Sequence, residues 1–262
     1  MIMLYLLLSI EYDGYDYSGW VKQKNARTIQ GELEKAFFGI CHQKIWTLGA
    51  SKTDAGVHAC DQKVLVKLTF QPRHLAFFIK TVSQTLPPNI NIKGYQFVAE
   101  NFSVRTVKVK EYVYTINDQE YDLFNHRYEL KVNAPLNVKK LHQISQIFVG
   151  THDFAYFAGV KPTEDIATVH TINKIWVKRN KAKKIEIHFR GKIFIRYQIR
   201  MLTQNILACY AGKVSLTELQ AQLNCPPKGT TTKYCAKPYG LCLKKIKYLY
   251  TVKLNYKKLI IL

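Results

Sequence analysis

Apolar residues along the first half of the chain are spaced in a way that predicts alternating strands and helices. The run Leu4–Tyr12 predicts a first strand, and Thr28 followed by apolar residues at helical spacing predicts a capped helix extending to Ile40. Strands are predicted at about 45–48, 62–70 and 90–98, with a second helix from Arg73 to just before Leu86. The predicted order is β-α-β-β-α-β.

The second half repeats this order with one additional helix. Strands are predicted at about 108–116, 171–178, 184–190 and 240–250, and helices at about 137–148 and 194–210. Ser215, with Glu218 three residues later, predicts a short extra helix that begins with a capping box. Residues 150–168 form a connection long enough to predict a functional loop.

This repeated order predicts an α+β fold class: two ferredoxin-like (β-α-β-β-α-β) halves with antiparallel sheets joined around a central basic cleft. The predicted N-terminal half is 1–104 and the C-terminal half is 105–262. Because 101–107 lacks the Gly and Ser content of a flexible linker, we expect the halves to pack rigidly.

Between the strands at about 45–48 and 62–70 lies a polar segment of small residues, Gly49–Ala59, whose only carboxylate is Asp54. Gly49 and Gly56 allow the backbone to turn sharply and to approach a substrate closely. Composition alone permits two interpretations, because a lone aspartate near glycines is commonly a simple turn residue. The alternative is a reactive loop supported by two strands.

The charge of the chain favours a polyanionic partner. Lys and Arg number 39 against 18 Asp and Glu, which gives a formal net charge of +21. These basic residues occur in both halves, whereas a membrane-surface protein would concentrate them on one amphipathic helix. We therefore expect a nucleic-acid partner and no membrane, although a generically basic protein is the alternative.

The six cysteines contain no C-x-x-C pair and, with the histidines, form no zinc-binding spacing. They are interpreted as the reduced thiols of a cytoplasmic protein. The apolar stretch Met1–Ile10 is too short to span a bilayer and lacks a basic flank, so it is interpreted as part of the first strand.

Thr53–His58 closely resembles the catalytic loop of the TruA-type tRNA pseudouridine synthases, in which the aspartate is essential. Further segments resemble other parts of that family, so the resemblance covers nearly the full chain: Tyr12–Gly14, Lys110–Tyr114, Gly150–Phe154, Phe194–Leu202 and Tyr239–Leu241. It implies isomerisation of uridine to pseudouridine at positions 38, 39 and 40 of the tRNA anticodon stem-loop. It also implies tRNA as partner and a homodimer. No cofactor or metal is expected, because the isomerisation has no redox step.

The resemblance also implies roles for individual residues. Asp54 would be the catalytic carboxylate, acting as nucleophile or as base. Arg200 would pair with it and Tyr112 would lie against the target base, both supporting catalysis. The predicted substrate-binding residues are Lys52, His58, Gln62, Arg196 and Tyr112.

Purely structural roles are the alternative for several of these residues. Tyr112 and Tyr114 fall on one face of a strand and would also suit sheet packing, and the arginines at 196 and 200 would also suit a solvated helix surface. His152 and Asp153 are interpreted as groups that fix a loop, rather than as an acid/base pair.

Three residues depart from the family pattern. Lys52 and His170 stand where arginine is expected, and Asp61 stands where glycine is common. Lysine keeps the charge of arginine but loses its planar, bidentate contacts. We expect these changes to affect RNA affinity and rate more than the chemistry.

Two alternative functions fit less of the sequence. A catalytically impaired RNA-binding paralogue, acting as a tRNA-folding or tRNA-binding protein, would not need the intact Thr53–His58 string. A DNA-binding regulator would need a recognition helix, and neither half contains a clear helix-turn-helix.

Overall fold

A computed structural model describes residues 3–160, 163–227 and 229–249. The chain is α+β with a large, mostly antiparallel sheet. It divides into two compact units, one comprising residues up to Lys108 together with those from Leu243, the other Val109–Cys242. The chain thus returns to the first unit after completing the second.

The strands of the first unit are β1 (Leu4–Tyr12), β2 (Trp46–Gly49), β3 (His58–Leu68) and β4 (Ile90–Val98). They run in the order β4-β1-β3, with β2 paired to β3, and all of these pairs are antiparallel. In this register Leu8 lies opposite Val64 on one side and opposite Tyr95 on the other. The returning strand β10 (Leu241–Lys247) adjoins β3.

Two helices accompany this sheet, α1 (Ile29–Cys41) and α2 (Leu75–Thr85). Alternate β1 residues from Leu6 to Ile10 are fully buried, as are Leu33 and Phe37 of α1. Thr28 accepts a hydrogen bond from the Gly31 amide and caps α1, which confirms the predicted helix start.

The second unit contains β5 (Val109–Asn117), β6 (Leu130–Lys131), β7 (Gly150–Asp153), β8 (Val169–Arg179) and β9 (Ile185–Gly191). Their order is β5-β9-β8-β7, with β6 paired in parallel to β5. The helices are α3 (Val138–Ser145), α4 (Gln198–Tyr210) and α5 (Leu216–Asn224). The predicted capping box of Ser215 and Glu218 is confirmed at the start of α5.

Some predicted boundaries were wrong. Helix α4 begins at Gln198 and not at Phe194, because Tyr197 adopts a left-handed φ of 63° that an α-helix excludes. Residues 150–153 of the predicted loop pair with β8 as an edge strand. Strand β3 begins at His58, four residues earlier than predicted. Tyr250, the predicted end of the last strand, lies outside the described residues.

Among the residues that the structure describes, no helix has both the length and the apolar character needed to cross a membrane.

The second unit should depend on the buried carboxylate of Asp118 for stability. Arg179 binds both of its oxygens, at 2.8 and 2.6 Å, and the Leu136 amide donates to it at 2.8 Å. The hydrogen bonds from Arg179 hold the pKa of Asp118 well below its usual range, despite the opposing effect of burial.

Asp118→Asn should therefore lower the free energy of unfolding by about 2 kcal/mol at pH 7. Because the carboxyl pKa is depressed in the folded state, this stabilisation is complete at neutral pH and is lost as pH falls below about 4. Urea unfolding at pH 7 and at pH 3 measures both effects, with the exposed Asp165→Asn as control. An equal difference between wild type and variant at both pH values would contradict the assignment.

Candidate active site

The loop that carries Asp54 joins β2 to β3 within the first unit. The Asp54 side chain is half-buried, and Lys52 two residues earlier is exposed. The neighbouring residues Ser51, Thr53 and Val57 are buried. The loop therefore presents one partly accessible carboxylate on a backbone that is packed on both sides.

Gln62 of β3 fixes the start of this loop. Its side chain is fully buried, its Oε1 accepts from the Ser51 amide at 3.2 Å, and its Nε2 donates to the Ser51 carbonyl at 2.6 Å. Both backbone groups of one loop residue are thus satisfied by one amide side chain. Because these bonds are buried, opening the loop here would leave unpaired polar groups.

Close backbone approach fixes the rest of the loop. A methyl group on Gly14 would lie 1.9 Å from the Val57 carbonyl oxygen, and one on Gly49 would lie 2.5 Å from the Trp20 ring. Gly19 has a φ of 91° and sits against the backbone of Thr53 and Asp54. These glycines are required by the space available and, at Gly19, by the backbone angle.

The polar side chains of Tyr12, Thr53 and His58 complete the support. The hydroxyls of Tyr12 and Thr53 are hydrogen-bonded at 2.8 Å in a buried position. Nδ1 of the buried His58 lies 3.1 Å from the Gly14 amide and 3.0 Å from Oδ1 of Asp13. His58, predicted to bind substrate, therefore joins the end of the loop that carries Asp54 to the turn after β1.

In the second unit, Tyr112 lies on β5 with its ring edge-to-face against Phe194, at a centroid distance of 5.3 Å. Gly191 makes room for Phe194, whose ring would lie 3.2 Å from a methyl group there. Tyr114, on the same face, is fully buried and donates to the Lys237 carbonyl at 2.7 Å. Burial raises the Tyr114 pKa well above its usual range, and this tyrosine serves packing.

Arg200 and Arg196 occupy different settings. Arg200, on α4, donates through Nε to the Ala236 carbonyl at 2.8 Å. Arg196 is exposed and precedes the helix, so it does not lie one turn before Arg200 on a shared face, as the predicted helix would have placed it. Its guanidinium binds the Gly159 carbonyl at 2.6 Å and Glu164 at 2.5 Å.

His170 is the departure from the family pattern in this unit. It is buried, and its Nε2 lies 3.0 Å from Oε1 of Gln198, which also accepts from the Ile195 amide at 3.0 Å. Burial lowers the pKa of His170. The hydrogen bond between His170 and Gln198 opposes this shift and links β8 to the turn that leads into α4.

Sequence reasoning missed Trp20, Tyr12 and Gly19 as parts of the site, and it missed Gln198 altogether. The aromatic and glycine content of 13–20 was the available signal for the first three residues.

His152 and Asp153 make loop-fixing contacts, to the Val149 carbonyl and the Ala155 amide.

The chain is similar to known proteins over nearly its whole length. A family model described as tRNA pseudouridine synthase matches residues 144–249. The tRNA pseudouridine synthase A of Mesoplasma florum is 42% identical over 93% of this chain and 98% of its own length. The proteins of the same name from Mycoplasma mycoides subsp. mycoides SC and Ureaplasma urealyticum are 41% and 35% identical, over 93% and 92% of this chain and 97% and 98% of their own lengths.

The contacts of Gln62 with Ser51 predict that removing its side chain will loosen the loop. Gln62→Ala should lower the free energy of unfolding by about 2 kcal/mol and speed hydrogen exchange at the Ser51 amide, because two buried backbone groups lose their partner. Urea unfolding and exchange measured by mass spectrometry test this. Gln84→Ala, on the exposed side of α2, is the matched control. Unchanged protection of the loop in the Gln62 variant would contradict its role.

Proposed function

The chain belongs to the tRNA pseudouridine synthase A family, and from that premise we propose that it isomerises uridine to pseudouridine in the tRNA anticodon stem-loop, at positions 38, 39 and 40. The reaction breaks the bond between N1 of the base and C1′ of the ribose, turns the base, and forms a bond from C5 to C1′. A proton leaves C5 and one is gained at N1. Because there is no net oxidation or reduction, no redox cofactor is needed.

Asp54 is the proposed catalytic carboxylate. The observation that carries the proposal is the half-buried position of Asp54 in a fixed loop. Hydrogen bonds from Gln62 and at Thr53, together with close packing at three glycines, fix the backbone of this loop. A reactive group on a fixed backbone needs little reorganisation at the moment of reaction. Asp54 acts either as a nucleophile toward the sugar or base, or as a proton acceptor.

Arg200 and Tyr112 are the proposed supporting residues. An arginine paired with Asp54 would keep its carboxylate ionised and oriented. The anchoring of Arg200 to the Ala236 carbonyl and the packing of Tyr112 against Phe194 support these roles, since both side chains are held by contacts within their own unit. The Tyr112 ring would lie against the target base once that base has left its stack.

The remaining proposed substrate contacts divide by exposure. Lys52 is exposed and suited to a phosphate or base contact, whereas the exposed Arg196 would exchange its ion pair with Glu164 for an RNA phosphate. His58 and Gln62 are buried, so their contribution to substrate binding would come through the loop that they shape. The net charge of +21 supports tRNA as the partner. A homodimer remains part of the proposal, on the family resemblance alone.

A ferredoxin-like arrangement of each half, around a basic cleft, is also proposed. The order β1-α1-β2-β3-α2-β4 of the first unit supports it, with β4-β1-β3 flanked by β2. The second unit keeps the pattern less closely, because β6, β7 and α5 are additional elements.

Replacing Asp54 tests the proposal directly. Asp54→Asn should reduce pseudouridine formation at least about a thousandfold, because an amide can neither add as a nucleophile nor accept the proton. Binding of tRNA and the melting temperature should stay near wild type, since Asp54 is partly exposed and the loop is held by its neighbours. Single-turnover conversion of tRNA measures the rate.

Glu100→Gln, which neutralises an exposed carboxylate in the same unit, is the control and should convert tRNA at the wild-type rate. Retained turnover by Asp54→Asn would remove Asp54 from catalysis. Tight tRNA binding by a wild-type protein that forms no pseudouridine would favour the RNA-binding alternative.

A further inference from the structure

Tyr197 holds an unfavourable backbone conformation at the entrance to α4. Its φ is 63° and its ψ is −6°, in or near the left-handed region that bulky residues rarely adopt. Its side chain does not cap the helix. A residue under such strain persists only where the surrounding contacts determine its position.

One contact of the ring is made possible by Gly159. A methyl group on Gly159 would lie 2.4 Å from Cδ2 of Tyr197, so only glycine admits the ring at this distance. Gly159 is itself tied to Arg196 in both directions. Its amide donates to the Arg196 carbonyl at 2.8 Å, and its carbonyl accepts from Nε of Arg196 at 2.6 Å. Gly159 is thus held in place by Arg196, and the ring packs against it.

The ring also contacts Arg200. The guanidinium carbon of Arg200 lies 5.1 Å from the centroid of the Tyr197 ring, within the range of a cation–π interaction. Nε of the same guanidinium donates to the Ala236 carbonyl. A planar guanidinium held both at Nε and over an aromatic ring has few orientations left.

We propose that Tyr197 is a positioning residue. Its ring, packed against Gly159, fixes the orientation of the Arg200 guanidinium. This inference rests on the proposed function, in which Arg200 supports the Asp54 carboxylate. Tyr197 is 39% exposed, and in the proposed role it acts through Arg200 and not directly on the substrate. The strained backbone is retained because it brings the ring beneath that one side chain.

Three substitutions separate the ring from the backbone strain. Tyr197→Phe keeps the ring and should retain most of the turnover. Tyr197→Leu removes the aromatic face and should lower kcat about tenfold, the rate equivalent of a cation–π interaction of about 1.4 kcal/mol, with KM for tRNA changed less than about twofold. Tyr197→Asn should lose as much kcat as the leucine variant. Because asparagine tolerates positive φ, it should melt no lower than that variant.

The pattern distinguishes positioning from a merely structural role, in which rate and melting temperature would fall together across all three variants. Wild-type kcat in Tyr197→Leu would overturn the inference. So would an equal loss in Tyr197→Phe, or a loss that appears in KM alone.

A second measurement does not depend on catalysis. The rate at which phenylglyoxal modifies Arg200, followed by peptide mass spectrometry, should rise in Tyr197→Leu and stay near wild type in Tyr197→Phe. If the wild-type protein forms no pseudouridine, the proposed function fails, and these modification rates still decide whether Tyr197 holds Arg200. An unchanged rate in Tyr197→Leu would overturn the inference.

Discussion

The buried amide of Gln62 is the interaction on which the proposed site depends most. A loop that presents a reactive carboxylate must leave that group accessible while its backbone stays fixed, and these requirements oppose each other on a surface. Gln62 meets both by pairing the N–H and the C=O of Ser51 from inside the sheet. Asp54, three residues farther along, then needs no stabilising burial of its own. The rigidity of the loop comes from β3, and its accessibility comes from the turn.

The second unit meets a similar requirement by different means. In the proposed mechanism Arg200 must keep one orientation, and its long side chain contacts the Ala236 carbonyl and the ring of Tyr197. That ring position comes with an unfavourable backbone angle and demands a glycine at 159. In both units, glycines allow a close approach that orients a functional side chain elsewhere.

Much of this architecture follows from local patterns in the sequence. Strands β1 and β4 and the cap of α1 were predictable because alternation and a threonine cap are local signals. The start of α4 was not, because the apolar spacing of 194–210 continues through Tyr197, and only its tertiary contacts impose the positive φ. The edge strand β7 was missed because its partner β8 lies about twenty residues away in sequence. The loop motif singles out Asp54 as the proposed catalytic residue, while the contacts of Tyr12, Trp20 and Gly19 with the loop depend on residues distant in sequence.

The activity proposed for this chain is the formation of pseudouridine in the anticodon stem-loop of tRNA. The most direct test is to map pseudouridine, nucleotide by nucleotide, in tRNA from cells with and without the gene for this chain. We expect modification at positions 38, 39 and 40 to disappear without the gene and to return when the gene is restored. The other pseudouridines should be unaffected. An unchanged map at those three positions would contradict the claim.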